Sequence, residues 1–133
     1  MNASPEPSAP RTILIVDDDP GVTETFQRML AMEGYRVLTA LTAAAGLKTA
    51  ETAHPHAIIL DLRMPLADGL QFLRMLRSKP NQVDTPVAIV TGDYFLDDKV
   101  SAELRSLGAD VRFKPLWLDD LVSLARKLLK SSN

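Results

Sequence analysis

"ILIVDDDP" (residues 13–20) joins four apolar residues directly to three aspartates and a proline. The unbroken apolar half is typical of a strand buried on both faces, as in a parallel sheet. The carboxylates that follow repel one another, by roughly 4 kcal/mol for two charges about 4 Å apart at an effective dielectric near 20. A chain that places Asp17, Asp18 and Asp19 at the end of such a strand therefore needs a compensating cation, and we expect a hard divalent metal ion with a lysine nearby.

Four further apolar segments resemble the first one. The five predicted strands cover residues 12–16, 35–40, 56–60, 86–91 and 110–113. Between strands, apolar residues recur with the roughly 3.6-residue period of a helix, as in Val100, Leu104 and Leu107. Gly34 and Gly108 stand where two of these helices are expected to end. Five β-α repeats with near-continuous apolar strands predict a parallel sheet with helices on both faces.

The composition is that of one ordinary globular domain, with 133 residues of which 46% are hydrophobic and 24% charged. The absence of cysteine excludes disulfides and thiolate metal sites and fits a reducing, cytoplasmic location. The net charge of −2 argues against nucleic-acid binding by this chain alone, and no apolar run is long enough to span a membrane. Residues 1–10 predict a disordered tail rather than a signal peptide, and residues 11–131 predict a single domain.

Polar side chains stand at the carboxyl ends of four predicted strands. These are the aspartates after strand 1, Asp61 after strand 3, Thr91 after strand 4 and Lys114 after strand 5. Ligands bind at this edge of open parallel sheets, so we expect the four segments to form one pocket. A carboxylate on a rigid strand end can attack phosphorus and form an aspartyl-phosphate. Magnesium, an ammonium group and a hydroxyl would neutralise the phosphoryl oxygens.

Each of these residues also has a simpler structural interpretation. Asp19 alone can cap the helix that starts near Pro20, because acids favour helix N-termini. Asp61 alone can be a turn acid, and Thr91 alone a strand residue. The functional prediction therefore depends on their joint placement.

Four segments together resemble the receiver domain of two-component response regulators: ILIVDDDP, DLRMPLADG, VTG and FKP. The resemblance covers about residues 11–130. DLRMPLADG is its most specific part, because Asp61, Met64, Pro65 and Gly69 fit the pattern D-x-x-M-P-x-x-x-G. The resemblance implies a flavodoxin-like (βα)5 three-layer sandwich whose parallel strands stand in the order 2-1-3-4-5. It also implies a phospho-acceptor with autophosphorylation and autodephosphorylation chemistry rather than an enzyme.

The resemblance implies a role for each acid of the predicted site. Asp61 would accept a phosphoryl group from a sensor histidine kinase or a phosphotransfer protein. Asp18 and Asp61 would bind Mg²⁺ through their side chains, Arg63 through its backbone carbonyl, and Asp17 largely through water.

The remaining site residues would serve the phosphoryl group itself. By the same resemblance, Thr91 would turn inward to bond it and Lys114 would pair with it. The Lys114–Pro115 peptide bond would be cis, and Gly92 would leave room for the phosphodonor. Phosphorylation would switch the binding of a downstream protein target or of an output domain absent from this chain, and the family also allows a homodimer.

The sequence departs from the family pattern near the end of strand 5. Val111 occupies the usual aromatic switch position, three residues before Lys114, and the segment after Gly108 is one residue shorter than usual. We therefore expect no aromatic relay from Thr91. Phe113 is expected to point to the side of the strand opposite that of Val111.

Other unusual residues lie around the site. Asp19 stands where the family often has glutamate, a mild departure, while Arg63 and Asp93 occupy variable positions that tune phosphoryl lifetime in the family. Tyr94 and Phe95, together the aromatic pair of the following loop, are either an exposed contact patch or pack onto the next helix. Trp117 is expected to pack over the sheet edge.

The same residues are compatible with two other functions. Phosphatases of the haloacid dehalogenase type also use an aspartate, Mg²⁺, a hydroxyl and a lysine. Their motif is D-x-D-x-T/V, however, and this sequence has Gly21 at the position of the threonine or valine. A phosphorylation-independent receiver-like binding module would keep the fold without the chemistry. The complete set of acids, Thr91 and Lys114 favours the phospho-acceptor over both.

Overall fold

The computed structural model describes residues 9–64 and 68–130 as a five-stranded parallel sheet with helices on both faces. The strands are β1 (Thr12–Val16), β2 (Arg36–Ala40), β3 (Ala57–Asp61), β4 (Val87–Thr91) and β5 (Ala109–Phe113). The helices are α1 (Pro20–Met32), α2 (Ala43–Ala53), α3 (Gly69–Arg77), α4 (Asp98–Ser106) and α5 (Leu118–Lys130), with a 3-10 turn at Pro80–Gln82. Each predicted strand agrees with the observed strand to within one residue at both ends.

The strand order is β2-β1-β3-β4-β5, which confirms the predicted topology. All four pairings are parallel, so the carboxyl ends of the strands meet at one edge. In this register Asp61 pairs with Val90, one residue before Thr91, and Thr91 pairs with Phe113. The register therefore brings the last residues of β3, β4 and β5 side by side.

Both faces of the sheet are buried at β1, β3 and β4, which explains why these strands are almost entirely apolar. Leu14 and Val16 belong to a cluster with residues of α2, α3 and α4, whereas Ile13 and Ile15 belong to a cluster with residues of α1 and α5. Successive residues of a strand point to opposite faces, so a strand covered on both sides cannot alternate apolar with polar.

The two glycines predicted to end helices do so. Gly34 follows α1 with φ of +92°, and Gly108 follows α4 with φ of +82°. This left-handed conformation is one that residues with a Cβ adopt only at a cost.

Some sequence predictions lie outside the described residues or disagree with the structure. Pro65 of the D-x-x-M-P pattern, residues 1–8 of the predicted tail and residue 131 of the predicted domain are outside the described ranges. The prediction for Trp117 is wrong: this residue directly precedes α5 and is 70% exposed. Every helix within the described ranges is too short or too polar to span a lipid bilayer.

Gly69, the first residue of α3, lies directly against the end of β3. A Cβ built on Gly69 would stand 2.7 Å from the carbonyl oxygen of Asp61 and 2.9 Å from the Cα of Leu62. The Gly69 N–H also donates a hydrogen bond of 2.7 Å to the Leu62 carbonyl. A residue without a side chain is therefore needed for α3 to begin this close to Asp61.

We expect Gly69→Ala to lower the free energy of unfolding by about 1–3 kcal/mol, because the added methyl group meets backbone atoms that cannot rotate away. This loss outweighs the higher intrinsic helix propensity of alanine. Urea denaturation measures it, with Gly92→Ala as the matched control, since a Cβ at Gly92 meets nothing within 4 Å. Equal stability of the two variants would contradict the close approach described above.

Candidate functional site

The carboxyl ends of the strands bring an ammonium group against two buried carboxylates. Lys114 Nζ, just after β5, lies 3.1 Å from Asp17 Oδ2 and 3.6 Å from Asp61 Oδ1. Asp17 follows β1 and Asp61 ends β3, and both are buried, Asp61 being only 7% exposed. One lysine thus links three strands of the sheet through two carboxylates.

Asp18 completes a cluster of three acids. One carboxylate oxygen from each of Asp17, Asp18 and Asp61 can be chosen so that all three lie within 4.8 Å of one another. Asp18 is exposed, so the cluster opens to solvent on its side. Three carboxylate oxygens facing an open side fit a hard, oxygen-preferring cation such as Mg²⁺, which keeps part of its water shell.

Asp19 does not join this cluster but caps α1. Its side chain accepts a hydrogen bond of 2.8 Å from the Gly21 N–H, and its own N–H donates to Asp17 Oδ1 at 3.0 Å. The structural interpretation of Asp19 as a helix cap is therefore confirmed, and the cap also orients the Asp17 carboxylate.

The pKa of Asp61 is raised above its ordinary value. Burial is the largest cause, because it penalises the charged form, and the neighbouring Asp17 carboxylate adds to it. Lys114 and the Arg63 backbone N–H lower this pKa but do not outweigh those effects. Burial and the nearby acids therefore disfavour the charged Asp61 carboxylate more than Lys114 and the Arg63 backbone N–H favour it.

The pKa of Lys114 is also raised. Burial alone would lower it, but the Asp17 and Asp61 carboxylates together outweigh the burial. Both partners of the Lys114–Asp61 pair thus shift upward, whereas a balanced pair would lower the pKa of the acid. The difference arises because burial raises the pKa of Asp61 more than the single ammonium group, shared with Asp17, lowers it.

Thr91 is fully buried at the end of β4, beside Asp61 in the sheet register. Its hydroxyl oxygen accepts a hydrogen bond of 3.1 Å from the Asp93 N–H, and its carbonyl accepts one of 2.8 Å from the Lys114 N–H. The hydroxyl proton is not used by this bond and remains available for donation. Thr91 therefore connects the sheet edge to the loop that follows β4.

Arg63 and Asp93 form an ion pair across the rim of the site. The Arg63 guanidinium donates to Asp93 Oδ2 at 2.7 Å and thereby joins the loop after β3 to the loop after β4. This bond holds the pKa of Asp93 below its usual value, with a smaller contribution from the Phe95 N–H. The sequence singled out both positions but gave no sign that they pair.

The aromatic residues near Lys114 differ from expectation. Val111 packs against the core cluster that contains α4. Phe113 does not point to the other side of β5, because residues two apart on a strand share a face. Its ring instead stacks on Tyr94 of the loop before α4. The Lys114–Pro115 peptide bond is cis.

Two open regions lie at opposite ends of the sheet. At the site itself, the space beside Gly92 is open, since a Cβ there meets nothing within 4 Å. At the other end, near the first residues of β4 and β5, a cleft of about 680 Å³ is lined by residues that include Arg77, Pro86 and Gly108. None of the predicted site residues lines this cleft, so we assign no function to it.

Comparison with known proteins identifies the family that this architecture resembles. The family model of the response regulator receiver domain matches residues 13–126. Transcriptional regulatory protein PrrA of Mycobacterium leprae is 37% identical over 123 residues, which are 92% of this chain and 51% of that protein. The chain thus spans about half the length of the curated relatives it matches.

Solved structures agree with this comparison. Chemotaxis protein CheY4 of Vibrio cholerae superposes with a TM-score of 0.83 at 26% identity, covering 91% of this chain and 100% of that one. A CheY-like receiver domain protein of Methanospirillum hungatei gives 0.84 at 27% identity, covering 92% and 96%.

We expect Asp61→Asn to raise the free energy of unfolding at pH 7 by about 1 kcal/mol, because it removes a charge that burial and Asp17 disfavour. Since the folded-state pKa of Asp61 is raised, its destabilising effect is present above that pKa and is relieved as pH falls through it. The stability difference between variant and wild type should therefore shrink toward acid pH.

Denaturation at several pH values measures this difference, and other titrating groups largely cancel because both proteins contain them. Added Mg²⁺ should stabilise the wild type more than the variant, because the variant lacks one ligand. A variant less stable than the wild type at pH 7 without Mg²⁺ would show that the Lys114 pair outweighs the repulsion.

Proposed function

Because the chain belongs to the response regulator receiver domain family, we propose that Asp61 accepts a phosphoryl group and that this switches partner binding. The observation that carries the proposal is the Lys114 ammonium 3.6 Å from a buried Asp61 carboxylate, beside two further acids. This arrangement provides a nucleophile, a cation to pair with the product and ligands for a metal ion.

In the proposed reaction, an Asp61 carboxylate oxygen attacks the phosphorus of the donor. A new O–P bond forms, and the bond to the leaving group breaks with its electron pair departing on that group. The raised pKa of Asp61 makes it a stronger base than an ordinary aspartate. Lys114 pairs with the charge that arrives, and the Thr91 hydroxyl proton bonds a phosphoryl oxygen.

Asp17, Asp18 and Asp61, with the backbone carbonyl of Arg63, would hold Mg²⁺. When bound, this ion supplies charge neutralisation for the phosphoryl oxygens. The chain's own part is to hold the acids close: the Asp19 N–H orients Asp17, and Lys114 offsets part of the negative charge.

The partners follow from the same family. We propose a cytoplasmic protein that receives its phosphoryl group from a sensor histidine kinase or phosphotransfer protein, or by autophosphorylation from a small donor. Its output would be a downstream protein or an output domain, with a homodimer as one form of that output. The net charge of −2 gives no support for nucleic-acid binding by these residues alone.

The haloacid dehalogenase alternative loses support, since the matched family is that of receiver domains rather than of classical enzymes. The phosphorylation-independent binding module shares the fold, so only chemistry separates it from the proposal. The same experiment addresses both.

Incubation with acetyl phosphate and Mg²⁺ should add one phosphoryl group per wild-type chain, observed by intact-protein mass spectrometry. Asp61→Asn should give no stable adduct, because an amide oxygen is a poor nucleophile. Asp68→Asn is the matched control: Asp68 caps α3 by accepting from the Gln71 N–H, a role that asparagine keeps.

The outcomes distinguish the candidate functions. An unmodified wild type would favour the binding module, and catalytic turnover of p-nitrophenyl phosphate would favour a phosphatase. A persistent adduct on Asp61→Asn would refute Asp61 as the acceptor.

We also propose that the Arg63–Asp93 ion pair limits the access of water to phosphorylated Asp61. Arg63 lies two residues after Asp61, and Asp93 lies two residues after Thr91, so the pair joins the loop that follows Asp61 to the loop that follows Thr91. Arg63 is largely exposed, and exposed pairs add little to stability, so its effect should be seen in kinetics.

Asp93→Ala and Arg63→Ala should each speed hydrolysis of the aspartyl-phosphate by about two- to tenfold, a barrier change of up to about 1.4 kcal/mol. The double variant should be no faster than the single ones if the pair acts as a unit. Arg74→Ala is the control, because it breaks a comparably exposed pair with Glu103 between α3 and α4. Unchanged phosphoryl lifetimes in the two single variants would contradict this role.

A further inference from the structure

Two aromatic rings stack outside the phosphorylation site and join the loop after β4 to the end of β5. Tyr94 lies three residues after Thr91, and Phe113 directly precedes Lys114. Their ring centroids are 5.4 Å apart with an interplanar angle of 19°, which lies within the usual range of stacked aromatic pairs.

A hydrogen bond reinforces this contact. The Tyr94 hydroxyl donates to the carbonyl oxygen of Lys114, the residue whose ammonium group lies against Asp61. One side chain of the loop therefore contacts two successive residues at the end of β5. Tyr94 is nevertheless 60% exposed, so separating it from β5 would expose little additional apolar surface.

Hydrogen bonds within the loop connect Tyr94 to Thr91. The Asp93 N–H donates to the Thr91 hydroxyl oxygen at 3.1 Å, and the Phe95 N–H donates to Asp93 Oδ1 at 3.0 Å. Tyr94 stands between these two donors in the chain. A rotation of the Thr91 side chain that moves its hydroxyl oxygen toward a phosphoryl group on Asp61 would break the first bond. The backbone next to Tyr94 would then be released.

We propose that Tyr94 and Phe113 form a latch that holds the loop after β4 in its unphosphorylated arrangement and opens when Thr91 turns to the phosphoryl group. Val111 offers no aromatic ring for this coupling, whereas Tyr94 bonds Lys114 and directly follows Asp93, whose N–H bonds Thr91. The latch rests on the proposed function, because it is phosphorylation of Asp61 that opens it. Tyr94 is a positioning residue here and does not touch the reacting atoms.

A contact present in only one of two states favours that state. Removing the latch should therefore increase the population of the switched arrangement and tighten the binding of a phosphoryl mimic. A contact that only supported the fold would behave in the opposite way, since its loss would weaken binding or leave it unchanged.

The test is a titration of the full chain with beryllium fluoride, a phosphoryl mimic that binds carboxylates, in the presence of Mg²⁺. Trp117 is the only tryptophan in the sequence and lies close after Lys114 and Pro115, so its fluorescence is the readout. Thermal stabilisation by the mimic gives a second measure of affinity that does not depend on Trp117.

Tyr94→Leu should bind the mimic about two- to tenfold more tightly than the wild type, the range expected for loss of one aromatic pair. Tyr94→Phe should show a smaller change in the same direction, because it keeps the ring and loses the hydroxyl. Phe95→Leu is the matched control and should bind as the wild type does. Its ring is 93% exposed and has no aromatic partner in the part of the chain that the structure describes.

The outcomes separate the latch from the proposed function. Failure of the wild type to bind the mimic, or equal binding by Asp61→Asn, would overturn the proposed function. If the wild type binds and Asp61→Asn does not, then equal or weaker binding by Tyr94→Leu relative to Phe95→Leu would overturn the latch alone.

Discussion

The contact of one ammonium group with two buried carboxylates determines the character of the site. Lys114 connects the ends of β1, β3 and β5 through Asp17 and Asp61, and no arrangement of one positive charge can neutralise both acids. Burial, together with the neighbouring Asp17 carboxylate, raises the pKa of Asp61 despite its ion pair. The same imbalance makes the cluster suited to a divalent cation, and through it to a phosphoryl group.

The uncompensated negative charge lowers the stability of the fold, and the buried apolar strands of the sheet offset this loss. Every residue of β1, β3 and β4 is buried, so these three of the four strands that end at the site have an apolar core on both faces. Gly69 then allows α3 to begin directly against the backbone of Asp61. A strained polar cluster on a rigid apolar support is the usual compromise between function and stability.

The sequence predicted those features that depend on local patterns. The positions of β1, β3 and β4 follow from nearly unbroken apolar segments. The helix ends at Gly34 and Gly108 follow from backbone conformations that glycine adopts without cost. The convergence of Asp61 and Lys114 follows from parallel topology, because every strand then ends at the same edge. The family's roles for the individual site residues, in contrast, remain predictions.

The features that sequence analysis missed are contacts made by loops. The Arg63–Asp93 pair joins two loops, and the Tyr94–Phe113 stack joins a loop to the last residue of β5. No periodicity encodes how a loop approaches another part of the chain. The face of β5 on which Phe113 lies could have been predicted, since the period of two along a strand places it on the same face as Val111. Only the conformation of the loop after β4 decides that Tyr94 covers it. A valine where the family usually has an aromatic residue therefore does not remove aromatic contact from this edge of the sheet. The contact instead comes from the loop that follows Thr91, so the segment proposed to respond to the phosphoryl group also contacts β5.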